Sequence, residues 1–492
     1  EVFNEVPIHD VVSWNALISG YTNHGHAEDA LMCFDRMLND GLHPNAITFT
    51  CILKACGQTQ EIDKGRWIHD EIRRARMLEK DIVLSTALVD MYAQCGALSI
   101  AYQLLKDELQ VSDSISWNAL ISAYVKHGQG GKALSCFKQM QTQGIHPDTI
   151  TFACVLKAYG SIRVIERGKQ THAELVAKGW LNGKCIVLGT ALVDMYAKCG
   201  GLLEAQNVFD KLTIHDSVSW NALISGYVLQ GQGSNALHCF GRMQSEGFSA
   251  DMITFTCILK ACGTMRAIDK GEQIYDEILR KGLLGKDVIL GTMLVDMYAK
   301  SGALARAKVV LDKLPIRDVV SWSTLISRYA QHGLGKVALY CFEWMQHEGI
   351  SPTAMTFLSV LNACSHSGLV YEGEVNFVSM SKYGVIQDPE HYTCIVDTLG
   401  RAGHFEKAML VIETMLTSDY PPLWGALLGA CRKWGNVELG RLAFNNAIQL
   451  DKGNAAAYAC MATIFAGAGM HEDAKKIEAM RVMNITSVSL AM

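Results

Sequence analysis

Apolar residues in this chain recur at helical spacing from its first complete segment onward. Trp14, Leu17, Ile18 and Tyr21 fall at i, i+3, i+4 and i+7, one face of an α-helix. Gly25 follows and can take the left-handed conformation that closes a helix. Ala30, Leu31, Phe34 and Met37 mark one face of a second helix, which Gly41 and Pro44 end because proline cannot continue it. Two short antiparallel helices are predicted. Neither is stable alone, since most helix stability comes from packing an amphipathic face.

The next segment, ITFTCILKACG from Ile47, puts Phe49, Ile52, Leu53 and Cys56 on its first helical face, and a third begins IVLSTALVDMYAQCG at Ile82. These three patterns then recur in order. Trp14, Trp117, Trp220 and Trp322 open four near-copies of VSWNALISGY; segments 12–21 and 218–227 are identical, as are 47–57 and 253–263. Self-similarity this long sets the architecture before any single residue is considered. Twelve complete hairpins are expected over 11–420, starting at 11, 46, 82, 114, 149, 186, 217, 252, 288, 319, 354 and 389. A partial unit (1–10) precedes them. Degenerate units at 421–454 and 455–481 and a divergent tail, 482–492, follow. The predicted fold is all-α: a right-handed α-solenoid superhelix of stacked helix-turn-helix hairpins.

A solenoid also explains the composition. Hydrophobic residues make up 49% of the 492, and mean hydropathy is +0.13. Each hairpin buries its neighbour's face as well as its own. No stretch of about 20 uncharged apolar residues occurs, so no membrane span is expected. Net charge is −5, which argues mildly against a protein coated in phosphate-binding charge but leaves room for a local basic groove. The sixteen cysteines recur in register, as at Cys33, Cys136, Cys239 and Cys341. Register points to packing by a small apolar side chain and to a reducing compartment. Glu1 already lies within a repeat, and no signal or transit peptide is visible, so the natural N-terminus is expected upstream.

Two helical-hairpin repeats share this size. Tetratricopeptide repeats favour glycine beside the first-helix leucine, where this chain has Leu17-Ile18, and they bind peptides. The pattern W-N-x-L-I-x-x-Y…G…A-L-x-x-F-x-x-M…G-x-x-P-[DN] resembles the pentatricopeptide repeat instead. The three alternating unit types resemble its plant P-L-S subclass. VDTLGRAG (396–403) resembles that subclass's last S unit, 423–440 its E1 extension and 455–477 its E2 extension.

A modular reader of single-stranded RNA needs, from each unit, a polar side chain at a base edge and an apolar one that holds the base flat. The resemblance implies that the fifth and last residues of each unit carry the recognition code. First-type units supply Asn15 with Asn45, Asn118 with Asp148, and Asn221 with Asp251. Third-type units supply Thr86 with Asp113, Thr190 with Asp216, and Thr292 with Asp318. Asparagine both donates and accepts, threonine does either, and ionised aspartate only accepts. By the family's code, Thr with Asp favours G, Asn with Asp favours U, and Asn with Asn favours C. The implied 5′-to-3′ reading is C-x-G-U-x-G-U-x-G. The x positions are the second-type pairs Thr50/Asp81, Ala153/Cys185, Thr256/Asp287 and Leu358/Asp388, and Ser323/Thr353 and Thr393/Tyr420 depart from standard pairs. The second residue of a unit sandwiches the base in this family; here Val12, Val83, Ile115, Val187, Val218, Ile289 and Val320, with Ile47, Ile150 and Ile253, hold that place. β-Branched side chains are stiff and cost little entropy to position. The last two units have Met355 and Glu390 instead.

Each of these residues has a plainer explanation. Asn, Ser, Thr and Asp cap helices, and Val or Ile at a helix start can form a hydrophobic staple. Capping alone gives no reason for Asn in one unit type and Thr in another. His172-Ala173-Glu174 matches the H-x-E start of a zinc deaminase signature, but the chain has no C-x-x-C, and Trp67-Ile68-His69-Asp70 is the counterpart in an earlier second-type unit. That triplet is read as a helix face. His24, His127 and His332 sit at expected helix ends, where histidine suits the dipole. No cofactor or metal site is implied. The expected function is sequence-specific single-stranded RNA binding, most simply recognition of C-to-U editing sites in a mitochondrion or chloroplast. A deaminase or other editing factor would then be met through the E1/E2-like region or lie beyond this chain. Splicing or transcript stabilisation is the RNA alternative, and a peptide-binding scaffold the alternative from another class.

Overall fold

The computed structural model describes residue 3 and residues 9–79, 81–108, 113–181, 185–285, 288–415 and 420–489. The described chain is helical, and consecutive helices pair as antiparallel hairpins. First helices begin at Val11, Ala46, Ile82, Ser114, Thr149, Ile186, Ser217, Met252, Val288, Val319, Ala354, Pro389, Pro421 and Ala455. Two compact units are formed, 1–254 and 255–492. Within each, a first helix packs on its own second helix and on the first helices of its neighbours: 149–161 lies between 114–126 and 186–198 in one unit, and 354–367 between 319–331 and 389–401 in the other. This is an α-solenoid in both units. No described helix is long and apolar enough to cross a membrane.

The residues that recur at helical spacing are the ones buried. Trp14, Trp117 and Trp220 are fully buried and Trp322 is 1% exposed, so these tryptophans are core. The ring of Trp220 meets Phe209 edge-on at 4.5 Å between centroids, and Arg242 sits 5.4 Å over its face. The sixteen thiols are unbridged. Burial pushes Cys56, Cys136, Cys364 and Cys394 up to about 12, so these side chains act as small apolar packing groups.

Hairpin turns follow the glycines. Gly25 has φ +82° directly after the first helix. Close packing uses others: a Cβ on Gly226 would lie 2.4 Å from that of Ala197, so only glycine lets helix 217–229 approach helix 186–198 this closely. In second-type hairpins the left-handed turn falls instead on Gln60, Arg163 and Arg266, at φ +59°, +57° and +54°. A left-handed L-residue costs about 1–2 kcal/mol, partly offset by the unfolded-state entropy a glycine adds. Arg163→Gly is therefore expected to stabilise the protein by about 0.5–1 kcal/mol. An unchanged or lower urea midpoint would count against strain at that turn.

Candidate nucleic-acid interface

The residues that close the units begin the helices that follow. Asn45, Asp113, Asp148, Asp216 and Asp318 are N-caps, each accepting from the backbone N–H three residues on. Each such cap stabilises its helix by about 1 kcal/mol. Capping is thus one part of what these residues do. The other part reaches back to the preceding hairpin. Asn15 Nδ2 donates to Asn45 Oδ1 at 3.1 Å. Asn118 Nδ2 donates to both carboxylate oxygens of Asp148 at 3.1 Å. Asn221 Nδ2 donates to those of Asp251 at 3.0 and 2.9 Å. In first-type hairpins the fifth and last residues are therefore one bonded pair across two adjacent first helices.

Third-type hairpins are wired differently. Thr86 Oγ1 donates to the Ile82 carbonyl at 2.8 Å and meets Ser116 Oγ at 2.8 Å; Ser116 in turn donates to Asp113. Thr292 Oγ1 donates back to Val288 O at 3.0 Å. Thr190 Oγ1 is buried without a hydrogen-bond partner, as is Asn118 Oδ1. A hydroxyl is shorter than an amide and does not span the gap to the closing aspartate. A third residue, at the third position of the next helix, completes the arrangement: Thr48 and Thr254 donate to Asn15 and Asn221 Oδ1, both at 2.6 Å. Sequence reasoning missed this position, although Ser or Thr stands there at residues 13, 48, 116, 151, 219, 254, 321 and 356.

Asp148 is pulled in two directions. Burial raises its carboxyl, but hydrogen bonds from the Thr151 backbone and side chain, Asn118 and Ser114 outweigh this and hold it below the ordinary carboxylate value. It is ionised at neutral pH and offers only acceptors. Because its folded value is depressed, its contribution to stability is present above the unfolded carboxylate pKa and is lost as pH falls through the folded one.

The second residues are strongly exposed for aliphatic side chains. Val12, Val83, Ile115, Val187, Val218, Ile289 and Val320 are 53–71% exposed, and Ile47, Ile150 and Ile253 lie within that range. Each sits second in its helix, pointing to solvent, which is not the buried contact a hydrophobic staple makes. Code and apolar positions share one concavity in the first unit. Val187, Thr190, Asp216, Val218, Asn221 and Ile253 line a cavity of about 470 Å³. In the second unit Val320, Ser323, Thr353 and Met355 line one of about 440 Å³. There Ser323 Oγ meets Thr356 Oγ1 at 2.8 Å, a hydroxyl pair in the place of the Thr254–Asn221 contact. Asp287, the residue read with Thr256, lies outside the described residues, as do most of 1–8 and the end of the 482–492 tail.

The ninth residue of each first helix also faces these cavities: Lys157, Asp194 and Ser225 in the first, Asp296 and Ser327 in the second. The sequence reading passed over it. Its signal was a three-step alternation of Ser19, Lys54 and Asp90, then Ser122, Lys157 and Asp194, then Ser225, Lys260 and Asp296.

The H-x-E triplet is not a site. His172 Nδ1 meets the Tyr196 hydroxyl at 2.9 Å, while Glu174 pairs with Lys178 along its own helix. His69 Nδ1 meets Tyr92 in the same way at 3.0 Å. His24, His127 and His332 are the C-caps of their helices.

A family model described as the PPR repeat family matches residues 9–58, 112–161, 215–264 and 317–366, and a PPR repeat model matches 253–283 and 390–420. The putative pentatricopeptide repeat-containing protein At3g15130 of Arabidopsis thaliana is 35% identical over 472 residues, covering 95% of this chain and 68% of its own. The chain belongs to the pentatricopeptide repeat family. A second relative, the pentatricopeptide repeat-containing protein At4g33990 of the same plant, is 36% identical over 486 residues; the chain spans 97% of itself and 58% of that protein. Among solved structures, the pentatricopeptide repeat protein PPR10 from maize shares the fold with a TM-score of 0.53 and 16% identity, over 97% of this chain and 80% of that one. PPR10 in complex with an 18-nt psaJ RNA element does so with a TM-score of 0.52 and 16% identity, over 98% of this chain and 85% of that one. The bonded Asn–Asp pairs and exposed aliphatic residues described above are thus features of pentatricopeptide hairpins in this chain.

Proposed function

We propose that this protein binds single-stranded RNA in a sequence-specific way, one hairpin per base, and marks C-to-U editing sites in mitochondrial or chloroplast transcripts. The observation that carries the proposal is the bonded pair of fifth and last residues. It places a type-specific polar group beside an exposed β-branched side chain in the same concavity. Unpaired bases need both, an edge contact and a flat apolar support. Because Asn118 and Asp148 already hold each other, little ordering remains to be done when a base arrives. The cavity residues also weigh against the peptide-scaffold reading, since the polar groups come in pairs that change with hairpin type. The three alternating hairpin types are read as the P-L-S subclass. The regions 421–454 and 455–481 are read as E1- and E2-like surfaces for a deaminase or another editing factor, to which the deamination chemistry falls.

The test is binding of the purified protein to an RNA containing C-x-G-U-x-G-U-x-G, and to the same RNA with G and U exchanged. Five exchanged positions at about 1 kcal/mol each predict a loss of about a thousandfold or more. Equal affinity for the two would sink the code reading. For the editing role, organellar RNA sequenced from plants lacking the protein should retain an unedited C near a matching site; a fully edited transcriptome would reject it.

A further inference from the structure

The ninth residue of the first helix sorts by hairpin type as strictly as the code residues do. It lies on their face of the helix: in the fifth hairpin Ile150, Ala153 and Lys157 are spaced i, i+3 and i+7. Third-type hairpins place an aspartate there, and each has a local partner. Asp194 pairs with Lys198 at 2.7 Å, Asp296 with Lys300 and with Arg328 at 3.5 Å, and Asp90 accepts from Gln94 at 2.6 Å. Second-type hairpins place Lys54, Lys157 and Lys260, all exposed. Lys54 donates to the neutral amide oxygen of Asn23 at 2.9 Å. Among the described residues none of the three forms an ion pair, whereas Lys64, Lys178 and Lys407 on second helices pair with Asp35, Glu174 and Glu374. Asp194 and Asp296 are engaged by other cations, whereas Asp90 also feels the charges of Lys126 and Lys54. A lysine stands at this place in three of the four second-type hairpins.

Lys157 stands beside the weakest code pair, while Lys54 and Lys260 stand beside Thr50/Asp81 and Thr256/Asp287. Ala153 and Cys185, the fifth and last residues of the fifth hairpin, offer no strong edge donor or acceptor. The fourth second-type hairpin has Leu358 at the fifth position and Asn362 in place of the lysine, with Asn362 Oδ1 accepting from Cys394. A hairpin that cannot read a base can still hold the strand, because phosphate contacts position a nucleic acid without carrying sequence information.

We infer that Lys54, Lys157 and Lys260 bind phosphodiester oxygens of the RNA strand, making the first three second-type hairpins backbone clamps spaced three nucleotides apart. The inference rests on the RNA-binding reading above.

The test is the salt dependence of affinity for the C-x-G-U-x-G-U-x-G RNA and its G/U-exchanged counterpart. It is measured for the wild type, for the triple variant K54Q/K157Q/K260Q and for the control K138Q/K211Q/K313Q, which removes equal charge from second helices. Each lost phosphate contact on a single strand lowers the slope of log affinity against log salt by about 0.7. The clamp variant should lose about 2 from that slope, keep the wild-type ratio between the two RNAs, and keep the wild-type far-UV circular dichroism. The control should keep both slope and ratio. A wild-type slope in the clamp variant overturns the inference alone, as does a collapse of the base ratio with the slope kept. Failure of the wild type to bind either RNA overturns both readings.

Discussion

Replacing Asn118 and Asn221 together by threonine is expected to change the preferred base from U to G at the two matching RNA positions. Each asparagine donates its amide to both oxygens of the closing aspartate, Asp148 or Asp251. Threonine has no atom long enough to do so. Thr86 and Thr292 instead bond to the carbonyl four residues back. The double variant would free both carboxylates from their amide partners while leaving their caps in place, since Thr151 and Thr254 still donate to them. Ionised aspartate with nothing but a short hydroxyl beside it is the arrangement of the third-type hairpins. A base mismatch costs about 1–3 kcal/mol, so the two sites together should move the U-to-G preference by about a hundredfold or more. Competition binding with RNAs differing only at those positions reads this directly. A variant that merely binds all RNAs less well would show that the asparagines are structural.

The largest stability loss is expected from Trp220→Ala. The side chain is fully buried, flanked by Phe209 and His215 and covered by Arg242. Removing so large a core side chain costs about 3–5 kcal/mol. In a solenoid each hairpin touches only its neighbours, so the damage should appear as an earlier, separate urea transition and not as uniform weakening. Its indole nitrogen is buried without a partner, whereas that of Trp322 donates to Glu348 at 3.0 Å. Val218, two residues away and 60% exposed, is the contrast. Val218→Ser should change stability by no more than about 0.5 kcal/mol and should weaken RNA binding. Equal stability losses from the two substitutions would refute this division between core and interface.

How much of this was legible beforehand differs by level. Hairpins could be read because Trp14, Leu17, Ile18 and Tyr21 carry a helical period, and Gly25 an ending, within one short window. Burial of the tryptophans and the packing role of the cysteines followed from recurrence in register. The double role of Asp148 was only half legible. From sequence it was either a cap or a reader; the structure shows one carboxylate serving Thr151 and Asn118 at once, across 30 residues of chain. The ninth-position lysines were open to view in the sequence but carried no meaning until the helices were stacked.

The sequence by itself determined that this is a repeating all-α chain of short hairpins in three types, because periodicity and stop signals act over a few neighbouring residues. Only the tertiary structure decided which polar side chains meet. Pairs such as Asn221 and Asp251, or cavities such as that of Val187, Thr190 and Val218, exist because stacking brings successive first helices side by side. That contact distance is set by packing, down to the single glycine at 226.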